Sequence, residues 1–220
     1  VIQSSSATTV MVVGFVNSGI MKLSQAVGVI LGANVGATLT AWLLSLTGVE
    51  GSNFFLQLLK PSSFSPILAI TGVIILAMSK RERQKDVASI MIGFAVLMFG
   101  MDAMSGAVEP LADMPEFTHI LLVFSNPVLG MLVGLVITAV IQSSGASIGI
   151  LQALCVSGIV NYSTAIPIIM GQNVGTCVTA LLSSVGASKN ARRAALIHLY
   201  YNIIKTVAFM AVFYTLNAIF

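Results

Sequence analysis

Charge is what this chain has least of. Ten Lys and Arg and seven Asp and Glu make up 8% of its 220 residues, against roughly 25% in soluble domains. No Asp, Glu, Lys or Arg occurs between Lys22 and Glu50, or between Glu116 and Lys189. Each gap is long enough for a membrane span of about 20 residues. With 57% hydrophobic residues and a mean hydropathy of +1.00, these gaps exclude a soluble globular domain and predict an all-α integral membrane protein. Cysteine is nearly absent too. Cys155 and Cys177 lie inside apolar runs without metal-ligand spacing, which excludes a disulfide scaffold and leaves them as small buried hydrophobes. The net charge of +3 says little alone, and nucleic acid is not an expected partner.

What is present is a duplication. Shifting the chain by 139 residues aligns Val1–Leu46 with Val140–Val185 without a gap, and 20 of 46 positions are identical. The polar positions agree best: Gln3/Gln142, Ser4/Ser143, Ser5/Ser144, Ser18/Ser157, Asn34/Asn173 and Thr40/Thr179. Two unrelated apolar helices would not share these, so the match is an internal repeat. The second copy is preceded by an apolar arm, "NPVLGMLVGLVITAV", and the first has none. Residues belonging before Val1 are therefore expected, and no signal peptide can be judged from this start.

In the second copy, apolar arms of about 15 residues flank the Gln-Ser-Ser tip, too short to cross a hydrocarbon core of about 30 Å. A re-entrant helical hairpin with a protein-buried tip fits better than one long span from Leu129 to Leu154 using Gln and Ser as interhelical glue. A spanning segment follows each tip, Gln25–Leu46 and Thr164–Val185, broken at mid-depth by "GANVGATLT" or "GQNVGTCVT". Gly-interrupted apolar segments in matching positions of two halves point to a transporter binding site. The expected layout is one membrane transport domain. Repeat 1 covers 1–48, connecting spans 64–79 and 87–108 follow, repeat 2 covers 126–186, and a basic-to-apolar last helix runs over 190–220.

Counting hairpins as re-entrant puts the second hairpin on the opposite side from the first, so the repeats are inverted. Lys22, Lys80, Arg81, Arg83, Lys85, Lys189, Arg192 and Arg193 then share one side, while Lys60, Glu50, Glu109, Asp113 and Glu116 share the other. The basic side is cytoplasmic by the positive-inside rule, giving a multi-pass protein of the plasma (inner) membrane. Trp42 near the outer end of its span is compatible with an aromatic belt.

Each hairpin's second arm starts a helix just after its serines, and a helix N-terminus offers unpaired N–H groups and partial positive charge. Two such ends make an anion site without a basic side chain. The four motif stretches contain no Lys, Arg or His, so a multiply charged anion there needs cations to offset it. They also contain no Asp or Glu, which argues against proton coupling. What they hold is oxygen, from the tip serines, Thr38, Thr176, Gln3, Gln142, Asn34 and Asn173, which suits hard cations such as Na+.

The doubled "QSSS"-type tips, each followed by "GxNxG", together with "GFAVLMFGMDAMS" and "ARRAALIHLYYN", resemble the type II sodium/phosphate cotransporter family, bacterial members and animal relatives alike. The resemblance implies sodium-coupled phosphate movement by an elevator-like fold. It places phosphate on Gln3, Ser4, Ser5, Ser6, Gln142, Ser143, Ser144 and Gly145. Sodium falls to Ser5, Asn34, Thr38, Ser144, Asn173 and Thr176. Phosphate, Na+ and the lipid bilayer are the implied partners, with a homo-oligomer allowed and no organic cofactor. The chain departs from the family pattern at Gly145, Ala37 and Cys177, where a hydroxyl is missing, which leaves the number of sodium ions open.

Asp102, inside a span, has either a cation-linked or a hydrogen-bonded structural role. His198, Asn202 and Lys205 share one face of the last helix, which a helix lying partly in the membrane interface before turning inward would explain better than substrate contact. The alternatives are a sodium-coupled di- or tricarboxylate or other oxyanion carrier, a channel, and a serine hydrolase. No His or Lys near either tip activates a serine, so an enzyme is not expected.

Overall fold

The computed structural model describes residues 4–45, 61–108 and 126–219, and among these residues the regular structure is entirely helical. In chain order the helices are α1 (Ser5–Asn17), α2 (Leu23–Ser45), α3 (Pro61–Met78), α4 (Glu82–Val108), α5 (Pro127–Ile141), α6 (Ser144–Val156), α7 (Tyr162–Gly175), α8 (Cys177–Ser183) and α9 (Lys189–Ile219). The repeat is visible in the bounds. Adding 139 to the ends of α1 gives those of α6, and adding it to Leu23, where α2 starts, gives Tyr162, where α7 starts.

The same local chemistry sets both copies. Ser4 and Ser143 sit at the N-caps of α1 and α6 with φ/ψ of −134/106° and −134/108°, each hydroxyl accepting a backbone N–H one turn on. Such caps stabilise a helix start by about 1 kcal/mol. At the far ends, Gly19 and Gly158 adopt φ of +77° and +74°, the left-handed turn that closes many helices and that only glycine takes without strain. α5 and α6 are separate helices in contact, broken at Gln142, which is itself left-handed at φ 58°.

The two copies differ where the glycines sit. In the second copy, a Cβ on Gly134 would strike the Ile168 carbonyl and one on Gly171 the Met131 carbonyl, while Gly175 backs onto Leu135 and Thr138. α5 and α7 therefore touch backbone to backbone, the close approach that small residues permit in membrane helices. A one-residue interruption occurs there, at Thr176, between α7 and α8, with the backbone still at φ −60° and ψ −21°. It does not occur in the first copy. α2 runs unbroken through "GANVGATLT", and Gly32 and Gly36 meet nothing among the described residues within 4 Å. A helical glycine costs only about 1 kcal/mol, so without a neighbour pressing on it the helix continues.

α9 is one 31-residue helix packed on α1, α2, α7 and α8. His198 and Asn202 have no exposed surface, and Ala191, Ala194 and Ala195 pack with Val12, Val13, Val16, Ala26, Ile30 and Ala180 into one core. Small residues on α9 let these helices close up. α3 and α4 form an adjoining pair, with Phe64 stacked on Phe94 at 5.9 Å.

Three helical stretches are long and apolar enough to cross a membrane: Glu82–Met104, Tyr162–Ser183 and Lys189–Ile219. Within the described residues, the apolar stretches of α2 and α3 are Leu23–Leu39 and Ser63–Met78, and the residues that connect the two helices lie outside the described ones. Large apolar side chains cover the outside, among them Trp42, Ile70, Phe99, Val136, Val140 and Ile204. A surface so apolar needs lipid or protein against it. At one end, the Ser188 N–H donates to Asn17 Oδ1 at 2.7 Å. This bond brings the basic start of α9 next to the loop holding Lys22, so those cations share an end of the molecule. Glu50, Lys60, Glu109, Asp113 and Glu116 lie outside the described residues.

Candidate functional site

A cavity of about 260 Å³ opens where the two copies meet. Its wall includes Ser5 from the start of α1 and Ser144 and Gly145 from the start of α6. α2 contributes Asn34, Ala37, Thr38 and Ala41, α7 contributes Ile169, Met170 and Asn173, and Thr176 stands at the break. Ile148, Lys205 and Phe209 complete it. Ser5 and Ser144 are equivalents in the repeat, as are Asn34 and Asn173, and Ala37 and Thr176. Matching positions 139 residues apart thus line one space.

The helix starts are held so that their amides stay available. Ser4 Oγ accepts Ala7 N–H at 3.1 Å, and Ser143 Oγ accepts Ala146 N–H at 3.2 Å. Each cap fixes the first turn whose leading N–H groups have no helical acceptor. The asparagines are likewise matched: Asn34 Nδ2 donates to Ile30 O at 2.9 Å and Asn173 Nδ2 to Ile169 O at 3.0 Å. With the amide nitrogens bound to their own helices, the amide oxygens are left to face other groups. Thr38 and Thr176 donate their hydroxyl hydrogens to Val35 O and Asn173 O, both at 2.6 Å, which leaves their oxygen lone pairs as acceptors. The wall thus offers helix N–H groups to an anion and neutral oxygens to a cation.

Of the residues expected at the site, Ser5, Asn34, Thr38, Ser144, Gly145, Asn173 and Thr176 are brought together in this wall. Ser4 and Ser143 are engaged as caps. Ser6 is buried and donates to the Thr176 carbonyl at 3.4 Å, linking the first tip to the break in the second copy. Gln142 is exposed on its left-handed turn outside the wall, and Gln3 lies outside the described residues. Asp102 is exposed on α4 and does not line the cavity.

One wall residue is not among the assigned site residues, although contact with substrate is the alternative for its helix face. Lys205 on α9 donates from Nζ to Asn173 Oδ1 at 3.1 Å and stands 5.6 Å from the centre of the Tyr201 ring. The signal was in the sequence: a lone charge deep in an apolar helix, spaced i, i+4, i+7 with His198 and Asn202. Thr138 Oγ1, Ser147 Oγ and Gln172 Oε1, none of them in the wall, are buried oxygens with no hydrogen-bond partner among the described residues.

Comparison with known proteins gives the class. The profile of the Na+/Pi-cotransporter family matches residues 1–106 and again 97–219, so each half carries a match and together they cover nearly the whole chain. The chain belongs to the Na+/Pi-cotransporter family, a family of membrane transporters.

Its relatives are bacterial and animal. YqeW of Bacillus subtilis (strain 168), whose name carries no function, is 29% identical over 205 residues, covering 93% of this chain and 62% of that protein. YjbB of Salmonella typhimurium, provisionally named an inorganic phosphate export protein, is 28% identical over 210 residues, 95% of this chain and 36% of that protein. Sodium-dependent phosphate transport protein 2A of Rattus norvegicus is 46% identical over 52 residues, 24% of this chain and 8% of that protein. The chain therefore spans less than two thirds of the length of these curated relatives. No solved structure matches.

Proposed function

We propose that this chain is the transport core of a sodium-coupled inorganic phosphate carrier, multi-pass in the plasma (inner) membrane. Its two repeats lie inverted to one another, each hairpin is re-entrant, and the central cavity opens alternately to either side. Phosphate is held by the N–H groups at the starts of α1 and α6, with the hydroxyls of Ser5 and Ser144 and the backbone of Gly145. Ser4 and Ser143 act by holding those helix starts in place. Sodium is assigned to the neutral oxygens of Ser5, Asn34, Thr38, Ser144, Asn173 and Thr176, and its charge lowers the cost of taking a phosphate dianion out of water.

The observation that carries this reading is the meeting of Ser5 with Ser144, and of Asn34 with Asn173, in one cavity. Its size also supports a small ion, since clefts for drug-sized ligands run to roughly 300–1,000 Å³. Gln142 adds support. A glutamine kept at φ 58°, where glycine would be unstrained, is retained for its side chain, which we assign, with Gln3, to the closing of the tip over phosphate.

Export is the second reading, supported by the name of YjbB. Both are tested with the full-length protein in proteoliposomes, by labelled phosphate movement under inward or outward Na+, K+ or pH gradients with succinate as competitor. Phosphate uptake driven by inward Na+ and untouched by succinate is the expected result. Movement indifferent to Na+ would refute the coupling.

A further inference from the structure

Lys205 is the one charge in the wall of the cavity, and the sodium/phosphate reading leaves it without a task. After Arg193, α9 carries no Asp, Glu or Arg and no second Lys. Placing an ammonium at this depth is costly, which makes such a residue functional by default. Among the described residues it also has no protein counter-charge: the one ion pair there is Lys85–Glu82.

Where the ammonium sits is informative. Asn173 has given its amide nitrogen to Ile169 O, and Lys205 Nζ takes its oxygen at 3.1 Å. Asn34, the equivalent residue, has given its nitrogen to Ile30 O in the same way. No donor among the described residues reaches the Asn34 oxygen. The two copies thus present the same amide oxygen to the same cavity, one bare and one already bound to a cation. An ammonium and a sodium ion make the same demand on such an oxygen, and both cannot occupy one oxygen in one direction. Having spent one of its three N–H donors on Asn173, the ammonium keeps two for an anion in the cavity.

We infer that Lys205 is a tethered cation, holding at Asn173 the place that a sodium ion takes at Asn34, and supplying part of the positive charge that retains phosphate. This rests on the sodium/phosphate reading. Its consequence is an unequal carrier: sodium dependence arises mainly from the first copy, and the second half-site takes its positive charge from the protein. One sodium ion fewer is then required than the number of equivalent half-sites would indicate.

The test is initial phosphate uptake by the full-length protein in proteoliposomes, measured against Na+ concentration. Wild type is compared with Lys205→Met, which keeps the length of the side chain and removes the charge, and with Lys205→Met combined with Asn173→Ala. Lys205→Met is expected to lose uptake at low Na+, recover at high Na+, and gain about one unit of Hill coefficient, as one added site allows. Removing Asn173 as well should abolish that gain. Unchanged steepness in Lys205→Met overturns the inference. If thermal unfolding shows that the methionine variant does not fold, the wild-type background decides. Asn34→Ala should then lower the Hill coefficient and Asn173→Ala should not, and equal effects would overturn the inference. Wild type that moves no phosphate under any gradient refutes the underlying reading, whereas wild type that transports while the variants stay unchanged refutes Lys205 alone.

Discussion

The two copies of the repeat share helix bounds, caps, closing glycines and the internal bond of their asparagines, yet they are built into the molecule differently. In the second copy, α7 is pressed against α5 through Gly134, Gly171 and Gly175 and is broken at Thr176; in the first, Gly32 and Gly36 face open space and α2 continues. The lesson is that the motif encodes the local shape and its neighbours decide the rest. Glycines at matching positions stand beside a one-residue interruption in one copy and within a continuous helix in the other, because a glycine removes an obstacle without itself imposing a bend.

The largest effect that would sharpen this contrast is on folding. Gly171→Leu should yield no folded protein, because its side chain would have to occupy the Met131 backbone, whereas Gly32→Leu should fold. The milder Gly171→Ala is expected to cost about 1–3 kcal/mol through overpacking, while Gly32→Ala should be neutral or stabilising by up to about 1 kcal/mol. Thermal unfolding in detergent measures all four. Similar behaviour of the two positions would break the comparison.

Next come the serines that meet across the cavity. Ser5→Ala and Ser144→Ala should each reduce phosphate uptake about 10- to 100-fold, the worth of one hydrogen bond to a charged group, with unfolding temperatures little changed. Equal losses would keep the two tips functionally matched, and a loss from one alone would make the site one-sided. Gln142→Gly should separate stability from transport. It relieves a left-handed backbone, so unfolding should shift upward by about 1 kcal/mol, while uptake falls. A variant both steadier and fully active would show that the glutamine side chain has no part in transport. The smallest effects belong to the caps: Ser4→Ala and Ser143→Ala should each cost about 1 kcal/mol, and calorimetry should find the two costs alike.

Much of the arrangement was legible in the sequence, because the information was local and doubled. Short apolar arms, a polar tip and a trailing GxNxG segment give the helices and predict that Ser5, Ser144, Asn34 and Asn173 belong together. The continuous α2 was not legible, since the sequence of a glycine-flanked asparagine is the same whether or not a neighbour presses on it. Nor was the place of Lys205. Its spacing with His198 and Asn202 marked one face of a helix, but what that face meets depends on α9 packing across both copies, and that is a property of the assembled bundle. Asp102 shows the converse: an acid in an apolar span drew notice in the sequence, and it lies exposed on α4, away from the cavity.

The seam between α5 and α7 has a mechanical side. Where two backbones touch with no side chain between them, there is nothing to re-pack and no room to slide, so the pair behaves as one stiff lever. In the proposed alternating cycle, a swing of the second tip would carry Asn173 and Thr176 along with it. α2, with its glycines clear of neighbours, has no such partner among the described helices. The pivot of the carrier is therefore expected between these two halves, along the hydrogen bond from Ser6 to the Thr176 carbonyl.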